Sequence, residues 1–277
     1  MSDGLPDLEG PCAVDPATVE EFQDKGHTVV RSLCSSSEVA RWRPVLEAAT
    51  RRGAWDSRPL AERDTYGRAF LQAGNLWRID PRIRAFTCSP RFAAVAATLL
   101  GVDRVRLYHD QGLLKESGGG RTPWHQDQQY WPLEHDRPVH SLTMWMPLVD
   151  ISDEVGSLRF ASGTHLAGDL AGDLAGPISD ESDATFAALL EQGRFPVESH
   201  GGLRAGDASF HAGWTLHSAG ENPSDRDRPA MTVIWFVDGC RIAAEPTTHQ
   251  AFDLAIWLDG APPGSAAGGP LNPQLPA

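Results

Sequence analysis

The pattern of apolar and polar positions divides the chain into a helical first part and a β-rich second part. Before residue 101, apolar residues recur at intervals of three and four, as in Val39, Trp42 and Leu46, which is the period of an amphipathic helix. We predict three helices in this part, over residues 16–25, 36–49 and 90–100. Residues 1–101 are therefore expected to form a mostly helical support for the rest of the chain.

Residues suited to capping positions flank these helices. Asp15, followed by proline, and Ser35 stand where an N-cap is needed, because their side-chain oxygens can accept hydrogen bonds from free backbone N–H groups. Gly26 and Gly101 stand where the first and third helices should end, since glycine adopts the left-handed conformation of a C-terminal cap. The caps and the apolar period thus agree on the helix boundaries.

From residue 102 the chain changes to short apolar runs separated by turn residues. We predict strands over residues 105–108, 111–115, 124–127, 141–148, 158–160, 202–203, 208–211 and 230–237. Their regular spacing favours a sandwich or barrel over alternating strands and helices. Met144 and Trp145 are adjacent and both apolar, so both faces of that strand are expected to be buried. The fold class is predicted to be mainly β with flanking helices.

No segment has the composition of a linker, so we predict a single domain over residues 1–277 with a β core over 102–240. Residues 166–176 nearly repeat Leu-Ala-Gly-Asp and are expected to form a loop, which is a candidate for a lid over a site. A helix is predicted over 180–192. The tail over 260–277 is rich in Pro, Gly and Ala and is expected to be disordered.

Charge and cysteine content exclude several classes of partner. The net charge is −13 and the isoelectric point is near 5.1, so neither a nucleic acid nor an anionic membrane surface is expected as a partner. The four cysteines have no CxxC spacing, which indicates reduced thiols rather than a zinc site. The first residues carry no secretory signal and no apolar run is long enough for a membrane span. We therefore expect a cytoplasmic protein.

One segment of the β-rich part carries the residues of a metal site. His125 and Asp127 are two residues apart, and on a strand such side chains point to the same face. They supply two ligands of the 2-His-1-carboxylate facial triad, which holds Fe(II) and leaves positions open. His217 is the candidate second histidine, and His211 is its rival. Arg228, eleven residues after His217, is placed to bind the far carboxylate of a dicarboxylate that chelates the iron.

Each of these residues also has an ordinary structural interpretation. A His-x-Asp pair on a strand is commonly a hydrogen-bonded surface pair, and Arg228 alone would form a salt bridge with Asp225 or Asp227. His135 and His140, in a proline-containing loop, are expected to face solvent. The combination of the His-x-Asp pair, a distal histidine and an arginine eleven residues later favours the metal interpretation.

The order of these motifs resembles that of the phytanoyl-CoA 2-hydroxylase (PhyH) family of Fe(II)- and 2-oxoglutarate-dependent dioxygenases. The resemblance covers roughly residues 105–237, and its motifs are His125-Gln126-Asp127, Gly-Ser-Leu-Arg at 156–159, Ser-Gly-Thr-His at 162–165, His217 and Arg228. It implies a double-stranded β-helix, which is a jelly-roll of the cupin type. It also implies Fe(II) as cofactor, with 2-oxoglutarate and O2 as co-substrates.

The resemblance implies a role for each residue of the motifs. His125, Asp127 and His217 are expected to bind the iron and form the catalytic centre, and Arg228 is expected to bind 2-oxoglutarate. Further residues are expected beside the co-substrate, namely Lys115, Gln126, Trp145 and Ser218. Ser218 departs from the family pattern, because Ser-Ala follows the distal histidine here where some relatives have Gly-Ser.

Aromatic residues near the metal strand are the candidates for substrate contacts. Tyr130 and Trp131 follow His125 closely and are expected at the mouth of the pocket, with core packing as the alternative. His211 is either a pocket residue or a core histidine. Tyr108 or Tyr130 is a candidate donor of a hydrogen atom, should the reaction be an epimerisation.

The substrate is expected to be a small molecule, and a glycosylated polyketide is our first candidate. The content of Ala, Gly, Arg and Asp is typical of high-GC bacteria, in which antibiotic tailoring by hydroxylation, epimerisation or cyclisation is common. Three alternatives stay open: a hydroxylase of an acyl-CoA, an amino acid or an osmolyte; a cupin-like metal-binding protein without turnover; and an iron or zinc enzyme that does not use 2-oxoglutarate. The sequence does not predict the oligomeric state.

Overall fold

Most helices lie before residue 101 and most strands after it in the computed structural model, which describes residues 4–172 and 177–276. The α-helices are α1 (Pro16–Lys25), α2 (Ser36–Gly53), α3 (Thr65–Ala69), α4 (Leu76–Ile79), α5 (Pro81–Thr87), α6 (Pro90–Leu100), α7 (Asp180–Leu190) and α8 (Thr248–Trp257). The strands are β1 (His27–Val30), β2 (Leu71–Gly74), β3 (Arg104–Lys115), β4 (Thr122–His125), β5 (Leu133–Glu134), β6 (Ser141–Pro147), β7 (Leu158–Ala161), β8 (Val197–Ser199), β9 (Ala208–Ala212), β10 (His217–Ala219), β11 (Arg228–Val237), β12 (Arg241–Ile242) and β13 (Gln274–Pro276). Short 3-10 helices span Leu60–Glu62, Asp127–Gln129 and Thr164–Leu166.

Two antiparallel sheets form the centre of the fold. The larger has the order β1-β9-β6-β11-β3-β13, with β2 also paired to β3, and the smaller has the order β4-β10-β7-β8. A two-stranded ribbon of β5 and β12 lies beside them. Two facing sheets with crossovers between non-consecutive strands form the jelly-roll, or double-stranded β-helix. The predicted fold class, mainly β with flanking helices, is therefore confirmed.

The helix boundaries follow from the capping residues. The Asp15 side chain accepts a hydrogen bond from the Ala17 N–H at the start of α1, and Gly26 ends that helix with φ of 80°. Ser35 and Glu38 form a reciprocal capping box at the start of α2. The predicted helices over 16–25, 90–100 and 180–192 are confirmed in position, and α2 extends four residues beyond the prediction.

The two faces of the larger sheet have different surroundings. In β11, Arg228 and Thr232 line a cavity between the two sheets, whereas Met231 and Val233 belong to the main apolar core. That core includes buried side chains of α2, among them Trp42, and buried side chains of α6. Because strand side chains alternate between faces, a fully buried strand has one face toward the cavity and one toward the helices.

Four predicted strands differ from the structure. Residues 105–108 and 111–115 belong to one strand, β3, which continues through the polar pair His109 and Asp110. Asp110 is accommodated because its carboxylate accepts hydrogen bonds from Leu76 N, Trp77 N and the Thr87 hydroxyl. The metal strand β4 ends at His125 rather than at 127. Residues 202–203 contribute only an isolated bridge.

The prediction of a disordered tail over 260–277 is wrong for the part that the structure describes. Gln274–Pro276 forms strand β13 along the edge of β3. Asn272 is buried, and its amide donates hydrogen bonds to the carbonyl oxygens of Leu107, Tyr108 and Trp257. The Pro- and Gly-rich composition did not predict that the tail is attached to the fold, because a single buried asparagine attaches it.

Two remaining expectations concern a membrane span and the lid. In the described part of the chain, every helix is too short or too polar to cross a membrane.

Part of the predicted loop over 166–176, namely 173–176, lies outside the described residues. Its first residues are held by Gln126, whose amide oxygen accepts from Leu170 N and whose amide nitrogen donates to Gly168 O.

Candidate active site

Two histidines from neighbouring strands face each other in the smaller sheet. His125 at the end of β4 is directly opposite His217 at the start of β10, and their ring centroids are 4.2 Å apart. Asp127 lies two residues further on, at the start of a short 3-10 helix. Its Oδ1 is 3.6 Å from His125 Nε2 and 3.8 Å from His217 Nε2. The three predicted ligands are thus brought together, with ligand atoms within 4.8 Å of one another.

Backbone carbonyl groups orient both histidine rings. His125 Nδ1 is 2.8 Å from Pro123 O, and His217 Nδ1 is 2.9 Å from Thr215 O. Each Nδ1–H therefore donates to a carbonyl, which leaves the Nε2 lone pair pointing toward Asp127. Burial and the neighbouring histidine lower the pKa of each imidazole to about 4, so both rings are neutral at pH 7. Neutral imidazoles with free Nε2 atoms fit the requirements of a metal ligand.

Two hydrogen bonds hold the carboxylate oxygen of Asp127 that lies away from the histidine pair. Oδ2 accepts hydrogen bonds from Thr143 Oγ1 at 2.9 Å and from His211 Nε2 at 3.2 Å, which leaves Oδ1 toward the two histidines. Burial alone would raise the pKa of Asp127, but His217 and His211 lower it below the ordinary value. His211 was predicted as a rival ligand or a substrate contact. In the structure it lines the cavity and contacts the Asp127 carboxylate.

Two cationic side chains lie next to each other on the larger sheet. Arg228 of β11 is directly opposite Lys115 of β3. Both are buried, with exposures of 3% and 0%, and Arg228 Nε and Nη1 have no hydrogen-bond partner. Burial lowers the pKa of Arg228 to about 9, and burial together with Arg228 lowers the pKa of Lys115 to about 7. Such a pair needs an anion to compensate its charge.

The surroundings of Arg228 suit a flat carboxylate ligand. The guanidinium carbon lies 5.0 Å from the ring centroid of Trp145, which was predicted beside the co-substrate and lines the cavity. The Lys115 ammonium donates to Gly120 O. Gly156 lies against both cations, since a Cβ atom there would be 3.0 Å from Lys115 Cδ and 3.3 Å from Arg228 Nη2.

A cavity of about 380 Å³ joins the His-Asp-His cluster to Arg228, whereas Lys115, predicted beside the co-substrate, is fully buried and does not line it. Its lining includes His125, Asp127, His217 and Arg228. Eight other lining residues are Trp, Tyr or Phe, including Tyr66, Phe70, Tyr130, Trp131 and Trp257. Trp55 and Phe252 also line it and are 55% and 61% exposed, so the apolar surface continues to the mouth. Tyr130 and Trp131 both line the cavity, and Trp131 is buried and also belongs to the main apolar core.

Three predicted contact residues are placed elsewhere. The side chain of Gln126 is buried against Gly168 and Trp214, away from the cavity wall. Ser218 lies between two lining residues on β10, so strand alternation turns its side chain to the opposite face. Tyr108 lies behind the wall, and its hydroxyl donates to Asp253 Oδ2 at 3.2 Å. The predictions of direct ligand contact for these three residues are corrected accordingly.

One part of the site was missed in the sequence. Helix α8 contributes His249, Phe252, Asp253 and Trp257 to the cavity lining. His249, Asp253 and Trp257 are spaced by four residues and so share one helix face, and Thr247 caps the helix. This four-residue spacing is visible in the sequence, but these residues lie beyond the predicted β core. Thr143 and Tyr66 had no comparable signal.

The fold and the site define a class of protein, because a jelly-roll with a buried His-Asp-His cluster and an unpartnered arginine in one cavity is the arrangement of a non-haem iron, 2-oxoglutarate-dependent oxygenase. Residues 22–230 match the phytanoyl-CoA dioxygenase (PhyH) family. The chain belongs to this family. It is thus an Fe(II)- and 2-oxoglutarate-dependent dioxygenase that uses O2, as the sequence analysis predicted.

Solved structures share the fold over nearly the whole chain. SnoK, a non-haem α-ketoglutarate-dependent carbocyclase from nogalamycin biosynthesis, is 23% identical with a TM-score of 0.73, covering 96% of this chain and 99% of SnoK. The epimerase SnoN, in complex with Fe3+, α-ketoglutarate and nogalamycin RO, is 25% identical with a TM-score of 0.72, covering 94% and 99%. EvdO2 from Micromonospora carbonacea var. aurantiaca, complexed with 2-oxoglutarate, is 21% identical with a TM-score of 0.61, covering 87% and 98%.

Proposed function

We propose that this dioxygenase tailors a natural product, by removing hydrogen from an unactivated C–H bond of a large, mostly apolar small molecule. In this proposal His125, Asp127 and His217 hold the iron. Arg228 binds the carboxylate of 2-oxoglutarate that lies away from the metal, and Lys115, opposite Arg228 on the neighbouring strand, adds positive charge at this end. The aromatic wall of the cavity binds the substrate, for which a glycosylated polyketide is the first candidate.

The assignment of the co-substrate site rests on the burial of Arg228 and on its missing hydrogen-bond partners. Its guanidinium is buried, two of its nitrogen atoms lack a partner, and it lines the same cavity as the His-Asp-His cluster. A buried cation without an anion is costly, so a metal-binding protein without a carboxylate co-substrate has no use for it. Its buried neighbour Lys115 adds to that cost.

The iron and its co-substrate, once bound, supply an oxidant strong enough to break a C–H bond. The residues of the chain bind, orient and exclude water. His211 and Thr143 hold one oxygen of Asp127 and leave the other for the metal. The aromatic wall keeps bulk water from the reacting carbon, which protects the oxidised substrate from side reactions.

The character of the cavity supports the substrate class. Aromatic side chains continue from the metal to the mouth, where Trp55 and Phe252 are exposed. Of the lysines and arginines in the described part of the chain, Arg228 is the one that lines the cavity. An acyl-CoA brings several phosphate charges that would find no further cation there. SnoK and SnoN, which share the fold, act in nogalamycin biosynthesis.

The test is a screen for compounds that stimulate succinate formation by the Fe(II)-loaded protein. Glycosylated aromatic polyketides are compared with acyl-CoAs, free amino acids and osmolytes, and each product is analysed by mass spectrometry under labelled O2. We expect stimulation by a polyketide. A gain of one labelled oxygen assigns hydroxylation, an unchanged mass assigns epimerisation, and a loss of two hydrogens assigns ring closure or desaturation, which NMR of the product distinguishes. Stimulation by an acyl-CoA or an amino acid, and by no polyketide, would contradict the substrate class.

A further inference from the structure

A carboxylate faces the cavity from helix α8. Asp253 is half-buried, lines the cavity and accepts a hydrogen bond from the Tyr108 hydroxyl at 3.2 Å. The Trp257 side chain, one helical turn further on, is its second hydrogen-bonding neighbour. Both partners are neutral, so the negative charge of Asp253 is hydrogen-bonded but not compensated.

The described residues offer this carboxylate no cation. No lysine, arginine or histidine within residues 4–172 and 177–276 forms an ion pair with Asp253. Arg228 lies at the far end of the cavity. It is opposite Lys115 of β3, whereas Tyr108, which donates to Asp253, lies seven residues away on the same strand. Seven strand residues span roughly 20 Å. Removal from water, with a smaller contribution from Asp127, raises the pKa of Asp253 to about 7. A cationic ligand would relieve this cost.

Aromatic rings surround the same end of the cavity. Trp257 stacks on His109 with centroids 4.3 Å apart, and Trp55 lies 6.1 Å from Trp257. Both tryptophans and His109 line the cavity, and His109 is buried with Nδ1 lacking a partner. A carboxylate among indole rings is the combination that binds organic ammonium groups, by charge and by cation–π attraction.

We infer that Asp253 binds a protonated amine of the substrate, with the indole rings of Trp257 and Trp55 beside it. This inference rests on the proposed function and narrows it: the substrate is a largely apolar molecule that carries an amino group, such as an aminosugar, at the end remote from 2-oxoglutarate. The cavity then has an anionic end for the substrate and a cationic end for the co-substrate. An anionic substrate would meet Asp253 and Asp64 in the wall without a counter-charge.

The test compares a cationic probe with its neutral N-acetyl derivative, which keeps the same aromatic ring. 9-(Aminomethyl)anthracene is a planar cation at pH 7.5, and its N-acetyl derivative is neutral. Each is titrated by fluorescence into the full-length protein, loaded with Fe(II) and 2-oxoglutarate under argon so that no turnover occurs. We expect the amine to bind about tenfold more tightly than the amide, and Asp253→Asn to abolish this difference. Equal affinity of the wild type for the two probes, or binding of neither, would overturn the inference.

Matched variants separate the charge of Asp253 from its place in the packing. Asp253→Glu keeps the charge and is expected to keep the preference for the amine, which also covers the case that Asp253→Asn does not fold. Asp64→Asn removes the other uncompensated carboxylate of the wall and is expected to leave the preference intact. Loss of the preference in Asp64→Asn but not in Asp253→Asn would overturn the assignment.

A second readout distinguishes failure of this inference from failure of the proposed function. The visible absorption of the Fe(II)–2-oxoglutarate complex is recorded in each sample before the probe is added. A normal absorption with no preference for the amine contradicts the amine site alone. Absence of that absorption in the wild type contradicts the proposed function itself.

Discussion

Arg228 and Lys115 are directly opposite each other on β11 and β3, both are buried, and neither forms an ion pair with any described carboxylate. Two neighbouring buried cations repel each other, and burial removes the water that would screen them. An anion bound in the active enzyme would offset the repulsion between these two buried cations. The pair therefore accounts for the co-substrate end of the cavity.

The affinity for 2-oxoglutarate is predicted to fall as the pH rises above 7. The pKa of Lys115 in the free protein is about 7, and a bound dianion stabilises its charged form and raises that pKa. Between the two pKa values, binding requires the uptake of one proton, so the affinity falls by up to about tenfold per pH unit. Isothermal titration between pH 7 and 8, below the pKa of about 9 of Arg228, measures this slope. Lys115→Met should bind more weakly at pH 7 and show no slope; an equal slope in both proteins would contradict the role of Lys115.

Replacement of Gly156 by alanine is predicted to weaken 2-oxoglutarate binding, because a Cβ atom there would crowd the side chains of Lys115 and Arg228 and displace them by a few tenths of an ångström. Gly163→Ala is the matched control: Gly163 also has a positive φ, of 84°, but a Cβ atom there meets no described atom within 4 Å. Both variants should lose about 1 kcal/mol in the free energy of unfolding from backbone strain. Only Gly156→Ala should raise the Kd of 2-oxoglutarate, and a similar rise in Gly163→Ala would refute this explanation.

Loss of His211 is predicted to weaken iron binding, although His211 is not among the three proposed ligands. Its Nε2 donates to Asp127 Oδ2, and Thr143 donates to the same oxygen. Removing a hydrogen bond that orients a metal ligand typically costs about 10- to 100-fold in affinity. Competition with a chromogenic chelator measures Fe(II) affinity in His211→Ala, with Thr143→Ser as a control that keeps its hydroxyl. Unchanged affinity in His211→Ala would show that Thr143 alone orients the carboxylate.

The sequence predicted those parts of the site that depend on local spacing. His125, Asp127, His217 and Arg228 form ordered motifs, and the structure brings all four to one cavity. The geometry arises differently from the prediction, however. His125 and His217 meet as a cross-strand pair, whereas Asp127 reaches the site from a 3-10 helix after the strand ends.

The parts that the sequence did not predict depend on contacts between distant segments. Asp253 reaches the cavity because helix α8 packs across its mouth, and no local pattern specifies that placement. Gln126 lies between two ligand candidates, yet its side chain turns away to hold Gly168 and Leu170. Tyr108 acts on the cavity through Asp253 rather than directly. Sequence spacing does not report which face of an irregular segment a side chain occupies.

The C-terminal segment is predicted to contribute to stability through Asn272. Its amide donates to three buried carbonyl groups on β3 and at the end of α8, so Asn272→Ala leaves these acceptors without that donor. We expect a loss of about 2 kcal/mol in the free energy of unfolding, measured by urea denaturation. Gln274→Ala, which removes an exposed hydrogen bond to Asp238 in the same segment, should cost less than about 0.5 kcal/mol. Equal losses would mean that Asn272 is not the anchor.

We claim that the His-Asp-His cluster and Arg228 form one site for iron and 2-oxoglutarate. The most direct test of this claim is an anaerobic titration of the Fe(II)-loaded protein with 2-oxoglutarate, in which the visible metal-to-ligand charge-transfer band is followed in wild type and in Arg228→Ala. We predict a band in the wild type, and the same band in Arg228→Ala only at a much higher concentration of 2-oxoglutarate. Iron binding without a band in the wild type, or equal titration curves for the two proteins, would contradict the claim.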